Sequence, residues 1–143
     1  MYEYRNKLDY YNYENNNYNK PMFTKNENPS SLYDPYNGFI RGNMFPNLYN
    51  GYKINPVDIT PSNDRESLGL YVDALCFAAH DINLYLDIYP EDRDMIELFN
   101  QYRVDSNRLK EEYQSKFGPI LVSSEATNKV PWTWDNKPWP WEN

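Results

Sequence analysis

Residues 68–119 decide the fold, and they read LGLYVDALCFAAHDINLYLDIYPEDRDMIELFNQYRVDSNRLKEEYQSKFGP. In the first half, apolar residues recur every three or four positions: Leu68, Tyr71, Leu75, Ala78, Ile82, Tyr85 and Tyr89. The second half repeats this spacing between Met95 and Phe117. Such spacing is typical of helices that bury one face. The stretch therefore predicts two long helices.

Helix ends are indicated by a few residues around this pattern. Pro90 ends the first helix and suits the first turn of the second. Gly118 is typical of the end of the second helix. At the start of the first helix, Thr60 or Ser62 is expected to cap and Pro61 to occupy the first turn. A sharp turn at Pro90 makes the helices antiparallel neighbours, so the predicted fold class is all-α, an antiparallel αα-hairpin.

Three further parts flank the hairpin, which is assigned to residues 61–121. Residues 1–30 form a low-complexity Tyr/Asn-rich arm with few aliphatic side chains, and such a segment is expected to be disordered alone. Residues 31–60 combine turn signals with apolar and aromatic side chains, which indicates an irregular docking segment. Residues 122–143 form an extended tail rich in Trp and Pro.

A hairpin of two helices buries only the seam that the helices share. Further apolar residues remain on the outer faces of the predicted helices: Leu70, Phe77, Leu84, Ile88 and Ile96. A third element must cover them. It could be the segment at 31–56, the Trp-rich tail, a second copy or a different protein, and the sequence leaves these alternatives open.

The aromatic residues outside the hairpin are the predicted partner-binding sites. In the docking segment they come with aliphatic neighbours: Phe39, Ile40, Met44, Phe45, Leu48 and Tyr49. In the tail they form two Trp-x-Trp pairs: Trp132, Trp134, Trp139 and Trp141. Extended residues two apart point the same way, so each pair can present two rings to one surface. The rings either fold back on the hairpin or dock on a partner, and both alternatives stay open.

Charge and composition argue against several classes of protein. The formal net charge is -7, and residues 61–143 carry the whole acidic excess, which disfavours binding to DNA or RNA. No apolar run approaches the roughly 18–20 residues that a membrane span needs. The first residues lack the apolar core of a secretory signal. The single cysteine excludes an intrachain disulfide and fits synthesis in a reducing cytoplasm.

One group of residues suggests chemistry. Cys76 and His80 lie four apart on one predicted helix face, with Asp73 and Asp87 on its extension. A metal or redox site is conceivable on this spacing. However, no glycine-rich nucleophile elbow, Glu-x-x-His pair or phosphate loop accompanies it. We therefore expect that the chain is not an enzyme and that it has no catalytic residue, metal or cofactor. The four residues are interpreted as the polar flank of an amphipathic helix.

Three stretches carry a resemblance to a known family. INLYLDIYPEDRD at 82–94, LKEEYQSKFGPIL at 109–121 and PWTWDNKPWPWEN at 131–143 are similar to the CotJB family of bacterial endospore coat proteins. The resemblance covers residues 66–143. More loosely, YDPYNGFIRGNMFPNLYNGY at 33–52 resembles the core of CotJA, a small companion coat protein.

The resemblance implies a structural, non-enzymatic role in the spore coat. Its expected partners are a ferritin-like coat protein similar to manganese catalases (CotJC-like), other coat proteins and further copies of the chain. Two alternatives remain. One is a self-assembling spore-surface layer or appendage subunit bridged by the N-terminal arm, and the other is a small metal-binding or redox accessory protein.

Overall fold

A computed structural model describes residues 32–49, 51–53 and 55–135. This part of the chain contains three α-helices, α1 (Pro35–Arg41), α2 (Asp64–Ile88) and α3 (Arg93–Phe117), and no strand. Two 3-10 turns, Pro46–Tyr49 and Glu125–Thr127, complete it. The predicted disordered arm at 1–30 lies outside the described residues. The all-α prediction is confirmed, and α2 and α3 pack as the predicted hairpin.

The start of α2 differs from the prediction, because Asn63 is the cap instead of Thr60 or Ser62. The side chain of Asn63 accepts a hydrogen bond from the backbone N–H of Glu66. The Glu66 carboxylate in turn accepts from both the backbone N–H and the hydroxyl of Ser62, each at 2.7 Å. These bonds, the Ser62 backbone N–H above all, hold the pKa of Glu66 below its usual value. Glu66 also accepts from the side-chain amide of Asn63 at 3.0 Å, so one carboxylate holds both residues at the start of α2.

The connection between α2 and α3 also starts the second helix later than predicted. Pro90 lies in the short connection and not in the first turn of α3. Asp92 caps α3, and its side chain accepts from the backbone N–H of Met95 at 3.2 Å. A carboxylate in this position satisfies a free helical N–H and favours the positive end of the helix dipole.

Two glycines end helices with a positive φ. Gly118 follows α3 at a φ of 101°, as the sequence predicts for a helix end. Gly42 follows α1 at a φ of 76°, in the left-handed region that other residues adopt at a cost. At the other end of α1, Asp34 caps the helix by accepting from the N–H of Asn37, and Pro35 is its first residue.

The core combines the hairpin with the segment that precedes it. The largest fully buried side chains are Met44 from that segment, Ile82 from α2, and Met95 and Leu109 from α3. All four belong to one continuous cluster of buried apolar residues. Residues 32–49 of the same chain therefore supply a third element that packs on the hairpin. Of the alternatives that the sequence left open, this is the segment at 31–56.

Candidate functional site

The predicted docking segment at 31–60 contains a compact part, residues 32–49, and the name docking segment is kept for this part from here on. Hydrogen bonds within these residues close the segment into a loop. The backbone N–H of Tyr33 donates to the carbonyl oxygen of Met44 at 2.9 Å, which joins the two sides of the loop. Asn43 is buried, donates its backbone N–H to the Gly38 carbonyl, and accepts from the Phe45 N–H through its side chain at 2.8 Å. The docking segment thus satisfies much of its own backbone without help from the hairpin.

One face of α2 receives the docking segment through three residues spaced four apart, hereafter the docking stripe: Phe77, Asp81 and Tyr85. Residues four apart lie one above another on a helix. At one end, the ring of Phe77 meets Phe39 edge to face, with centroids 6.0 Å apart. At the other end, the ring of Tyr85 stacks on Phe45 at 5.3 Å. Both distances fall within the range of favourable aromatic pairs.

The middle of the docking stripe is polar. The Asp81 carboxylate accepts a hydrogen bond from the backbone N–H of Met44 at 2.7 Å. This N–H belongs to a fully buried residue and would cost free energy if it had no acceptor. Asp81 therefore fixes the register of the docking segment on α2, while the aromatic pairs on either side supply apolar contact area.

Gly38 lets the Met44 side chain enter the core. A β-carbon added at Gly38 would overlap the Met44 Sδ and lie 3.4 Å from the carbonyl oxygen of Asn43. Because Met44 is fully buried, its sulfur could move only by repacking against the other side chains of the core. The absence of a side chain at Gly38 is therefore a packing requirement.

Tyr85 connects the docking stripe to the turn of the hairpin. Its hydroxyl donates to Asp92 Oδ2 at 2.9 Å, while Oδ1 of the same carboxylate caps α3. Burial, and secondarily the hydrogen bond and charge of Asp92, raise the pKa of Tyr85 to about 12. The ring of Tyr89 lies 4.7 Å from the Tyr85 ring. The hydrogen bond between Tyr85 and Asp92 thus links the docking stripe to the cap of α3.

A further hydrogen-bonded contact holds the chain that leaves the docking segment. The hydroxyl of Tyr36 donates to Asp58 Oδ1 at 2.9 Å and accepts from the backbone N–H of Ile59 at 3.0 Å. Residues 58–59 are thus attached to α1 before the chain continues into α2.

The structure divides the predicted partner-binding residues of the docking segment into buried and accessible ones. Met44 and Phe45 are buried within this chain, and Phe39 and Ile40 are half-buried. Leu48 is 66% exposed. The side chain of Tyr49 lies outside the described part. A partner can therefore reach Leu48 directly, but it can reach Met44 and Phe45 only if the docking segment leaves α2.

The described part of the tail presents one exposed tryptophan. Trp132 is 53% exposed, whereas Trp134 is half-buried. Between them, the hydroxyl of Thr133 donates to the carbonyl oxygen of Ala126 at 2.7 Å, which turns the tail back toward the 3-10 turn. Trp139 and Trp141 lie outside the described residues. Whether the tail folds in cis or docks on a partner therefore stays a prediction.

The closed end of the hairpin presents a second exposed apolar patch, hereafter the turn patch: Leu84, Ile88 and Tyr89. Ile88 is 71% exposed, and the other two side chains are about half exposed. The sequence places Leu84 and Ile88 on an outer helix face, and the docking segment does not cover them. Of the other outer-face residues, Leu70 is buried and Phe77 contacts Phe39.

The residues proposed for metal or redox chemistry are not brought together as a site. His80 is exposed, and Cys76 is half-buried against the core cluster. Within 32–49, 51–53 and 55–135, no three His, Cys, Asp or Glu side chains are placed to hold a metal ion. Asp73 and Asp87 are both exposed on α2. Among the same residues, no helix is long and apolar enough to span a membrane.

Sequence reasoning did not identify Asp81 as the acceptor for the docking segment or Asp92 as the cap of α3. Asp81 lies between two aromatic residues, each four positions away, and this Phe-x-x-x-Asp-x-x-x-Tyr spacing is the available signal for a stripe that receives a polypeptide. Asp92 precedes Met95 by three positions, which is the spacing of a capping carboxylate. Glu91 and Asp94 beside it carry the same favourable charge, so charge alone does not show which carboxylate caps α3.

Comparison with known protein families identifies a relationship. The model of the CotJB protein family matches residues 68–142, which is more than half of the chain. The matched region contains the whole docking stripe, all of α3, and all of α2 after its first turn. Searches among curated proteins and among solved structures each found no match. The matched region omits the docking segment, so the CotJA-like resemblance of residues 33–52 stays a prediction. On the extent of the match, the chain belongs to the CotJB family of spore-coat proteins.

Proposed function

We propose that the chain is a non-enzymatic assembly component of the spore coat that binds a ferritin-like, manganese-catalase-type coat protein of the CotJC kind and other coat proteins. The observation that carries this proposal is the exposure of Trp132. A tryptophan that is 53% exposed on a chain with a buried core of its own is a strong candidate for an interface anchor.

Further exposed apolar side chains lie close to Trp132 in sequence: Leu121, Val122 and Val130. Together with the turn patch, they leave this small chain with apolar surface in more than one region. Exposed apolar patches of this kind are typical of proteins that assemble with others. The acidic excess of residues 61–143 favours a partner surface that carries basic residues.

Self-association is a second candidate, and the docking segment favours it. The segment and the docking stripe are complementary parts of one chain, so each copy carries both halves of an interface. The predicted layer or appendage subunit requires contacts of this kind between copies. The N-terminal arm that was predicted to bridge them lies outside the described residues.

Co-purification tests the proposed partners. The full chain is tagged before Met1, isolated from sporulating cells and analysed by mass spectrometry for proteins present in fixed ratio. Recovery of a ferritin-like, catalase-type protein supports the proposal. Recovery of the chain only with itself, in large particles, supports a self-assembling layer and contradicts the catalase-type partner.

A matched pair of substitutions tests the anchor. Trp132→Ala removes the exposed ring, and Val104→Ala removes apolar atoms from a residue of α3 that is similarly exposed, at 54%. We expect the first variant to lose about tenfold or more in partner affinity and the second to bind like the unsubstituted chain. If the Trp132→Ala variant also binds the partner as tightly as the unsubstituted chain does, Trp132 is not an anchor.

A further inference from the structure

We infer that the docking segment of one copy binds the docking stripe of a second copy, in place of that copy's own segment. Segment exchange of this kind would link copies of the chain through contacts that each copy already contains. The inference rests on the self-association part of the proposed function and specifies the surface that carries it. It is separate from the binding of a catalase-type partner.

The first argument is that the docking segment has internal order of its own. The Tyr33 N–H to Met44 carbonyl bond closes the loop, and the Asp34 cap and the left-handed Gly42 define the ends of α1. None of these interactions involves the hairpin. The segment can therefore keep its local backbone bonds when it leaves one stripe and binds another.

The second argument is the character of the linker. Residues 51–53 and 55–60 form no helix or strand, and nearly all of them are exposed. The bonds that Tyr36 makes to residues 58–59 would be lost if this stretch changed direction, but its exposed positions bury little apolar area. The eight positions from 50 to 57 reach roughly 26 Å when fully extended, which gives the segment room to cross to a neighbour.

The third argument is that the occupant and its binding surface are separable parts of the sequence. The match to the CotJB family begins at residue 68 and contains Phe77, Asp81 and Tyr85. The docking segment ends at residue 49, outside the match. The family-matched hairpin therefore carries a surface that a polypeptide from outside this region fills, and that polypeptide can be presented by the same copy or by another.

The contacts of an exchanged segment are the same as those within one copy. Phe39 would meet Phe77, the Met44 N–H would donate to Asp81, and Phe45 would stack on Tyr85 of the neighbour. Attachment through the linker gives a copy's own segment an effective concentration on the order of millimolar. Exchange is therefore expected in concentrated assemblies, or where a copy's own segment cannot bind.

Two full-length variants that complement each other test the inference. The segment variant, Phe39→Ala/Phe45→Ala, keeps an intact docking stripe but weakens its own occupant. The stripe variant, Phe77→Ala/Asp81→Ala, keeps an intact docking segment but weakens the surface that binds it. It leaves Tyr85, and hence the bond to Asp92, unchanged. Each variant is checked by circular dichroism and then studied by sedimentation velocity, alone and mixed.

The expected result is a species of two chains, twice 17.2 kDa, in the mixture and in neither variant alone. Its amount should rise with concentration and fall when excess unsubstituted peptide of residues 32–49 is added. If the double variants unfold, the milder pair Met44→Ala and Asp81→Ala is mixed in the same way. With either pair, absence of the two-chain species at millimolar concentration overturns the inference.

Other outcomes identify other occupants. Equal dimers of each variant alone would place the contact on a different surface, and exchange would be wrong. Binding of another coat protein by the segment variant, with none by the stripe variant, would make that protein the occupant. If the segment variant and the stripe variant do not pair, while the full chain still co-purifies with a catalase-type protein, segment exchange is wrong and the proposed function stands.

Discussion

Replacement of Gly38 by alanine tests how the docking segment packs. Glycine within a helix normally costs about 0.5–1 kcal/mol relative to alanine, so the substitution would usually stabilise. At Gly38, however, the new β-carbon would overlap the sulfur of the fully buried Met44. Overpacking of a core costs about 1–3 kcal/mol. We expect Gly38→Ala to lower the free energy of unfolding by about 1–2 kcal/mol.

A second glycine provides the matched control. Gly69 lies within α2, and a β-carbon there would lie 3.6 Å from Cε2 of Tyr113, an ordinary van der Waals distance. Gly69→Ala should therefore raise the free energy of unfolding by about 0.5–1 kcal/mol, as the helical preference of alanine predicts. The two substitutions are chemically identical, so the difference in sign isolates the contact with Met44.

Urea unfolding followed by circular dichroism measures both effects and a third variant. In a Met44→Ala background the overlap is absent, so Gly38→Ala should no longer destabilise, and the double-mutant cycle should show a coupling of about 1–3 kcal/mol. If Gly38→Ala stabilises as much as Gly69→Ala does, Met44 is not packed against Gly38 and the docking geometry is wrong. If the loss persists in the Met44→Ala background, a different contact causes it.

Three further predictions concern single side chains. Asp81→Ala should lower the free energy of unfolding by about 1–3 kcal/mol, because it leaves the Met44 N–H without an acceptor; Asp87→Ala, at an exposed position of the same helix, should change it by less than about 0.5 kcal/mol in the same urea titration. The pKa of Tyr85 is about 12 in the folded chain and about 10 in the unfolded chain. Between about pH 10 and about pH 12 the folded chain therefore keeps a proton that the unfolded chain has lost, and the free energy of unfolding falls as the pH rises. Tyr85→Phe should remove that part of the pH dependence, and an unchanged slope would contradict the assignment. Trp132→Ala should leave the free energy of unfolding within about 0.5 kcal/mol, since the ring is largely exposed, and a larger loss would favour folding of the tail in cis.

The hairpin was predictable because its signals are local. The three–four spacing of apolar residues determines which faces of α2 and α3 are buried, and Gly118 ends α3 where the sequence indicates. The helix starts were less predictable, since Ser62 and Asn63 both have side chains that can cap. Glu66 bonds to both of them, so the residue types alone do not show which one caps the helix.

The binding of the docking segment to α2 could not be derived from local signals. The apolar side chains that suit an interface with another protein also suit a core, so Met44 and Phe45 give the same sequence pattern in either role. Asp81 shares its helix with Asp73 and Asp87, which are exposed, and the residue type alone does not separate the three. Only the position of the Met44 N–H in three dimensions makes Asp81 an acceptor.

The order of the docking segment and its stripe along the chain has a consequence for synthesis. Phe45 leaves the ribosome forty residues before Tyr85. At about 5–20 residues per second, this interval lasts roughly 2–8 s. During it, the apolar side chains of the segment have no stripe of their own to bind. The docking segment can therefore complete its packing only after α2 has been made.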